Sequence, residues 1–170
     1  KANVEMAEYI PDPVNMDEEE KKIETIDQPE WVETIEDGQK HYGKPSSNYL
    51  KNVVFVDEND RIVIAVLRGD QEANIIKISK LLDGISLKYA DDKDIERFGS
   101  KSGWVHSWGH DEGRDDVVYV VDLALLNSRN MIGGQKEKKM DTINVNYGRD
   151  FKHKIEGDIS IAVNGSKCAR

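Results

Sequence analysis

The chain has 170 residues, room for one domain of ordinary size, and its 38% apolar and 34% charged residues allow a single modest core. The 33 acidic residues outnumber the 24 basic ones to give a net charge of −9, which excludes generic nucleic-acid coating, where cations must neutralise phosphates; contact with one strand end stays compatible with it. No apolar run is long enough to span a membrane, the opening KANVEMAEYIP lacks a signal peptide's apolar stretch, and the single cysteine, Cys168, excludes an internal disulfide framework and fits a reducing, cytoplasmic setting.

Residues 1–30 are acidic and polar, with Pro11, Pro13, Pro29 and the run Asp17-Glu18-Glu19-Glu20-Lys21-Lys22, and read as an extended linker leading into the domain rather than as core. Thr34 is suited to cap a helix, with Asp37 in its first turn and Gly43 at its end, and Pro45 forbids continuation. Val53–Val56 and Ile62–Leu67 are two apolar runs joined by a polar turn, which predicts a β-hairpin; both runs are nearly continuous, so both faces should be covered. Helical spacing over 72–82 is stopped by Asp83-Gly84. A short strand is expected at Leu87–Ala90, and a helix capped by Asp91 or Asp92 closing at Gly99. A glycine-rich loop from Gly99 to Gly113 carries Trp104, His106, Trp108 and His110. Val117–Val121 reads as a buried strand ending at Asp122, Gly133-Gly134 as a turn, and Thr142–Val145 as the last strand. The sum is an α/β (α+β) domain with a mostly antiparallel mixed sheet and helices packed around it.

Several motifs in order carry a family likeness. Arg68-Gly69-Asp70 followed by Asn74 and Lys77 fits R-G-D-x-x-x-N-x-x-K; Thr34-Ile35-Glu36-Asp37 precedes it, and Asn144-Val145-Asn146-Tyr147-Gly148-Arg149-Asp150-Phe151 follows. Gly165-Ser166-Lys167-Cys168 and Asn3-Val4-Glu5-Met6-Ala7 suit a return to, and a strand from, a surrounding protein. This set resembles the editing domain inserted into bacterial-type prolyl-tRNA synthetase, a member of the aminoacyl-tRNA deacylase superfamily. The resemblance implies a curved mixed sheet and hydrolysis of mischarged tRNA(Pro), chiefly Ala-tRNA(Pro). It also implies an editing domain that needs no cofactor, with ATP and Mg belonging to the parent synthetase. The implied partners are the tRNA(Pro) 3′ CCA end carrying a small amino acid and the remainder of a homodimeric parent. Domain bounds follow as 1–30 linker, 31–165 editing domain and 166–170 exit segment. The chain does not start with Met, which also suits a piece of a longer protein.

Such an activity has a physical rationale. A pocket made for proline rejects the smaller alanine by only about 1–3 kcal/mol, so a second, smaller pocket must remove the error. An aminoacyl ester is already labile; a positioned water, oxyanion donors and a grip on the terminal adenosine suffice. The sequence offers no nucleophile elbow, CxxC or HExxH. By resemblance Lys51 is the functional lysine, able to hold a phosphate or developing negative charge. Asp122 would orient the substrate ammonium or a water, or else is a strand-end turn residue. Gly133 and Gly134 would offer backbone N–H donors, or else form a plain turn. Gly103 matches the start of a mobile loop whose usual proline is missing here, and Trp104 or Trp108 would stack on adenine or serve as packing. Asp141 stands where the family usually has a histidine that helps select the amino acid, and the neighbouring Gln135–Met140 is unusually charged. His106 and His110 lack a third metal ligand of suitable spacing, so no metal site is expected. The competing expectations are an inserted module that has lost hydrolysis and only supports the synthetase or acceptor end, and a free-standing factor acting in trans.

Overall fold

A computed structural model describes residue 8 and residues 11–134 and 139–162. The motifs at 3–7 and 165–168, the exit segment and most of the charged run 135–140 therefore lie outside the described residues.

Eight strands and three helices are present among these residues: β1 (Glu24–Asp27), α1 (Ile35–Tyr42), β2 (Leu50–Asp57), β3 (Ile62–Arg68), α2 (Ile75–Leu81), β4 (Leu87–Tyr89), α3 (Asp92–Arg97), β5 (Val117–Asp122), β6 (Met131–Gly134), β7 (Met140–Val145) and β8 (Ile155–Gly157). They form a five-stranded sheet of order β4-β2-β3-β5-β8 and a three-stranded sheet of order β1-β7-β6. Most pairings are antiparallel; β3–β5 and β5–β8 are parallel.

The hairpin forms as its apolar runs require. β3 is buried along its whole length because it is central and both faces are covered. Alternation sends Ile62, Ile64 and Val66 into one core with Met131 and Val145 of the small sheet and Ile95 and Phe98 from α3 and its end. Val63, Ala65 and Leu67 enter a second core under Ile78 of α2.

The helices start and stop by local chemistry. Thr34 and Asp37 form a reciprocal capping box on α1, and Gly43 ends it in the left-handed region (φ +63°). Asn74 caps α2, accepting from the amides of Ile76 and Lys77, and Asp91 caps α3 with a second capping box.

Three sequence expectations are corrected. Residues 24–27 of the supposed linker are a strand of the small sheet, and Val14 and Ile23 pack on the first core. That segment is held by Arg129 Nη1 on Glu18 O (2.6 Å), Lys21 N on Asn130 Oδ1 (3.0 Å) and Arg149 Nη1 on Lys21 O (2.9 Å). Gly133 and Gly134 lie in β6, opposite Thr142 and Asp141, not on a turn. β7 is followed by a further strand, β8, whose three residues are too few to show a period.

Candidate functional site

A cleft of about 270 Å³ opens between the small sheet, α1, the start of β2 and the loop around Gly103. Lys51, Gly103, Gly133, Gly134 and Asp141 all border it. A second cleft of about 480 Å³ shares Gly103 and Gly134 and continues past Lys101, Trp104 and Lys139.

Lys51 comes second in β2, opposite Leu67. Its ammonium donates to Gln71 O (2.9 Å) and pairs with Glu72 Oε1 (2.9 Å), a carboxylate whose side chain is 75% exposed. This tether is soft: an exposed ion pair contributes about 0–1 kcal/mol. Incoming negative charge can therefore displace Glu72 at little cost.

Gly133 is fitted tightly: a Cβ there would lie 3.2 Å from Leu50 Cδ1, so a side chain would press the cleft wall. Gly134 has open space beside it, which leaves the backbone at this corner of both clefts approachable. Gly103 has φ +82°, a conformation that suits glycine, and carries the loop past both clefts.

Asp141 is in β7, the middle strand of the small sheet, and is 4% exposed. Tyr42 Oη donates to its Oδ2 (2.6 Å) and Gln28 Nε2 to its Oδ1 (3.2 Å). Burial raises its pKa above the ordinary aspartate value, while the Tyr42 hydrogen bond and the nearby His41 act in the opposite direction. It thus points to partners on the protein rather than to solvent.

Asp122 is not at the cleft. It is 1% exposed at the end of β5, where Oδ1 accepts from Ala124 N (2.9 Å) and Gln71 Nε2 (3.0 Å), and Oδ2 from Ile159 N (3.0 Å). The expected role in orienting an ammonium or water gives way to a structural one, because Asp122 is buried away from the cleft and held by three internal donors. A link to the cleft runs through Gln71, whose carbonyl receives Lys51.

The loop's aromatics separate. Trp108 stacks on Phe151 (4.8 Å between centroids) and belongs to the core rim, whereas Trp104 borders the second cleft with the Lys101 ammonium 5.4 Å from its ring. His110 Nε2 accepts from His106 N (3.1 Å), which uses that nitrogen within the loop. Among the described residues no group of three His, Cys, Asp or Glu side chains is placed to hold a metal.

Sequence reasoning missed Gln28, Tyr42, Tyr49 and Asn52. Asn52 follows Lys51 and fixes the loop, donating to Val105 O (2.9 Å) and accepting from Ser107 Oγ (2.9 Å). An asparagine inside a strand pattern is the one local signal that would have marked it. Tyr49 borders the cleft, and nothing in its sequence context distinguishes it from a core aromatic.

The cleft is bordered by backbone at Gly103, Gly133 and Gly134 and by one lysine, Lys51, with no metal cluster among the described residues. The aminoacyl-tRNA editing domain family matches residues 29–150, and the chain belongs to that family. It is 34% identical over 170 residues to the proline–tRNA ligase of Pelobacter propionicus, and 27% identical over 169 residues to that of Brachyspira hyodysenteriae. Each match takes in 99% of this chain but only 29% and 28% of the respective ligase. Among solved structures the fold is shared with hypothetical protein APE2540 (TM-score 0.67, 18% identity, 82% of this chain and 91% of that one). It is also shared with a candidate trans-editing enzyme for prolyl tRNA synthetase (TM-score 0.61, 18% identity, 73% and 76%). No described helix is long and apolar enough to cross a membrane.

Proposed function

We propose that this chain hydrolyses small aminoacyl esters on tRNA(Pro), alanine above all, as the editing segment of a proline–tRNA ligase. The observation that carries the reading is that Lys51, Gly103, Gly133, Gly134 and Asp141, far apart in sequence, border one small cleft. In the reaction a water adds to the ester carbonyl, and the oxyanion so formed is met by the Lys51 ammonium once it leaves Glu72, and by backbone N–H at the Gly134 corner. Collapse of that intermediate breaks the bond to the terminal ribose oxygen, which takes a proton; free alanine and tRNA(Pro) leave. The adjoining cleft suits the terminal adenosine, with the Trp104 face for the base and Lys101 for phosphate.

On this reading most tRNA affinity comes from the rest of a homodimeric ligase, where ATP and Mg act in aminoacylation, and the acidic domain meets only the CCA end. Tethering supplies the effective concentration that intrinsic affinity does not. A second reading, a supporting module without hydrolysis, is favoured by one observation: the Lys51 ammonium is engaged by Gln71 and Glu72.

One experiment separates the two. Wild-type chain should release alanine from Ala-tRNA(Pro), and Lys51→Ala should fall to the uncatalysed rate. Its unfolding free energy should fall by about 1–2 kcal/mol, since the variant loses the part-buried hydrogen bond to Gln71 O and the Glu72 ion pair but no core side chain. Equal hydrolysis by a folded Lys51→Ala chain removes the lysine from the mechanism, and no hydrolysis by the wild type favours the supporting module.

A further inference from the structure

The carboxylate of Asp141 sits in the cleft wall with neutral partners and no lysine or arginine paired to it among the described residues. Tyr42 does not border this cleft; it rises from the last turn of α1 and grips Oδ2 from behind at 2.6 Å. Gln28 borders the cleft and holds Oδ1 at 3.2 Å. Each oxygen thus accepts one bond and keeps acceptor capacity for another. Tyr49, 6% exposed, borders the same cleft with a buried hydroxyl that has no hydrogen-bond partner among the described residues, and it is near enough to Asp141 for the two to interact electrostatically. An orphaned buried hydroxyl costs stability, and so does a buried carboxylate with no ion pair, to which His41 contributes only through space. One ligand group relieves both: a primary ammonium, which carries a positive charge and three N–H donors.

We propose that Asp141, held in place by Tyr42 and Gln28 and joined by the Tyr49 hydroxyl, is a receptor for a primary ammonium, so that the cleft takes aminoacyl groups through their free α-amine. This rests on the aminoacyl-ester reading above and names the wall group that holds the substrate's amine. An N-acylated amine has no charge and a single N–H, so it can donate to one wall group at most and leaves the carboxylate's charge unbalanced. Tyr42 is a positioning residue in this arrangement: it touches the receptor and not the ligand.

The test uses 3′-(L-alanylamino)-3′-deoxyadenosine, a non-hydrolysable amide analogue, and its N-acetyl derivative, titrated into the 170-residue chain by calorimetry. The free amine should bind at least about tenfold more tightly than the acetylated form, the scale of a charge-assisted contact. Asp141→Asn should bring the ratio close to one and Tyr42→Phe should lower it, a change that loss of packing alone would not produce. Tyr49→Phe should weaken the free-amine analogue while the thermal midpoint holds or rises, since no internal hydrogen bond is lost. Equal binding of the two analogues, no binding of either, or a ratio that survives Asp141→Asn overturns the proposal. Ester hydrolysis is scored apart. A preserved amine preference without hydrolysis removes the hydrolase reading and keeps the receptor; hydrolysis without the preference removes the receptor alone.

Discussion

Asp122 shows how a buried carboxylate can pass for a reactive one. Burial raises its pKa, and its three donors, Ala124 N, Ile159 N and Gln71 Nε2, counter that. Asp122→Ala would strand these donors in the core, and the expected loss is about 3–5 kcal/mol. A urea titration checks it. A variant that keeps full stability yet loses hydrolysis would return Asp122 to the chemistry. The motif that carries the family likeness behaves in the same structural way. Arg68 forks onto Asp70 (2.6 and 2.9 Å) and reaches Asp12 O (2.7 Å). Gly69 lies where a Cβ would overlap the Ser46 carbonyl oxygen. Lys77 ties α2 to Asp158 (2.8 Å) and Ser160 O (2.9 Å). The R-G-D tripeptide is thus a closed corner rather than a presented ligand.

At the scale of elements, the β2–β3 hairpin depends on Asp57. Its carboxylate accepts from Asn59 N (2.8 Å), Arg61 N (2.9 Å) and Arg61 Nε (2.7 Å). Burial alone would raise its pKa, but these hydrogen bonds and the Arg61 charge outweigh burial and lower it. A depressed acid pKa stabilises the fold above the ordinary aspartate range, and that stabilisation is lost as pH falls through the folded value. Stability measured against pH should therefore fall more steeply on the acid side for wild type than for Asp57→Asn; coincident acid limbs would refute this. The hairpin, the capped helices and β5 were legible in the sequence because their signals are local: β-branched runs, a capping box, a glycine stop. The strand character of Gly133-Gly134 was not, because glycine marks a turn in sequence, whereas here Gly133 packs tightly on Leu50 and Gly134 borders open space. Nor were the parallel β3–β5 pairing and the strand role of 24–27, which depend on register between distant segments.

At the scale of the molecule, the site lies where two sheets meet. Its wall is built by contacts across 113 residues (Gln28 to Asp141) and 99 residues (Tyr42 to Asp141), spans over which sequence periodicity carries no information. The family likeness named Lys51, Gly103, Gly133, Gly134 and Asp141, and the fold brings these five to one cleft; it could not name the partners that are particular to an aspartate at 141. On the proposed reading, the net charge of −9 suits a domain that meets one strand end and leaves the bulk of a tRNA to other surfaces. The most direct test of the central claim is a comparison of initial rates of amino-acid release from Ala-tRNA(Pro) and Pro-tRNA(Pro). Alanine should be freed at least about tenfold faster than proline, the discrimination that a size-limited pocket can supply. Proline freed as fast as alanine would contradict the account.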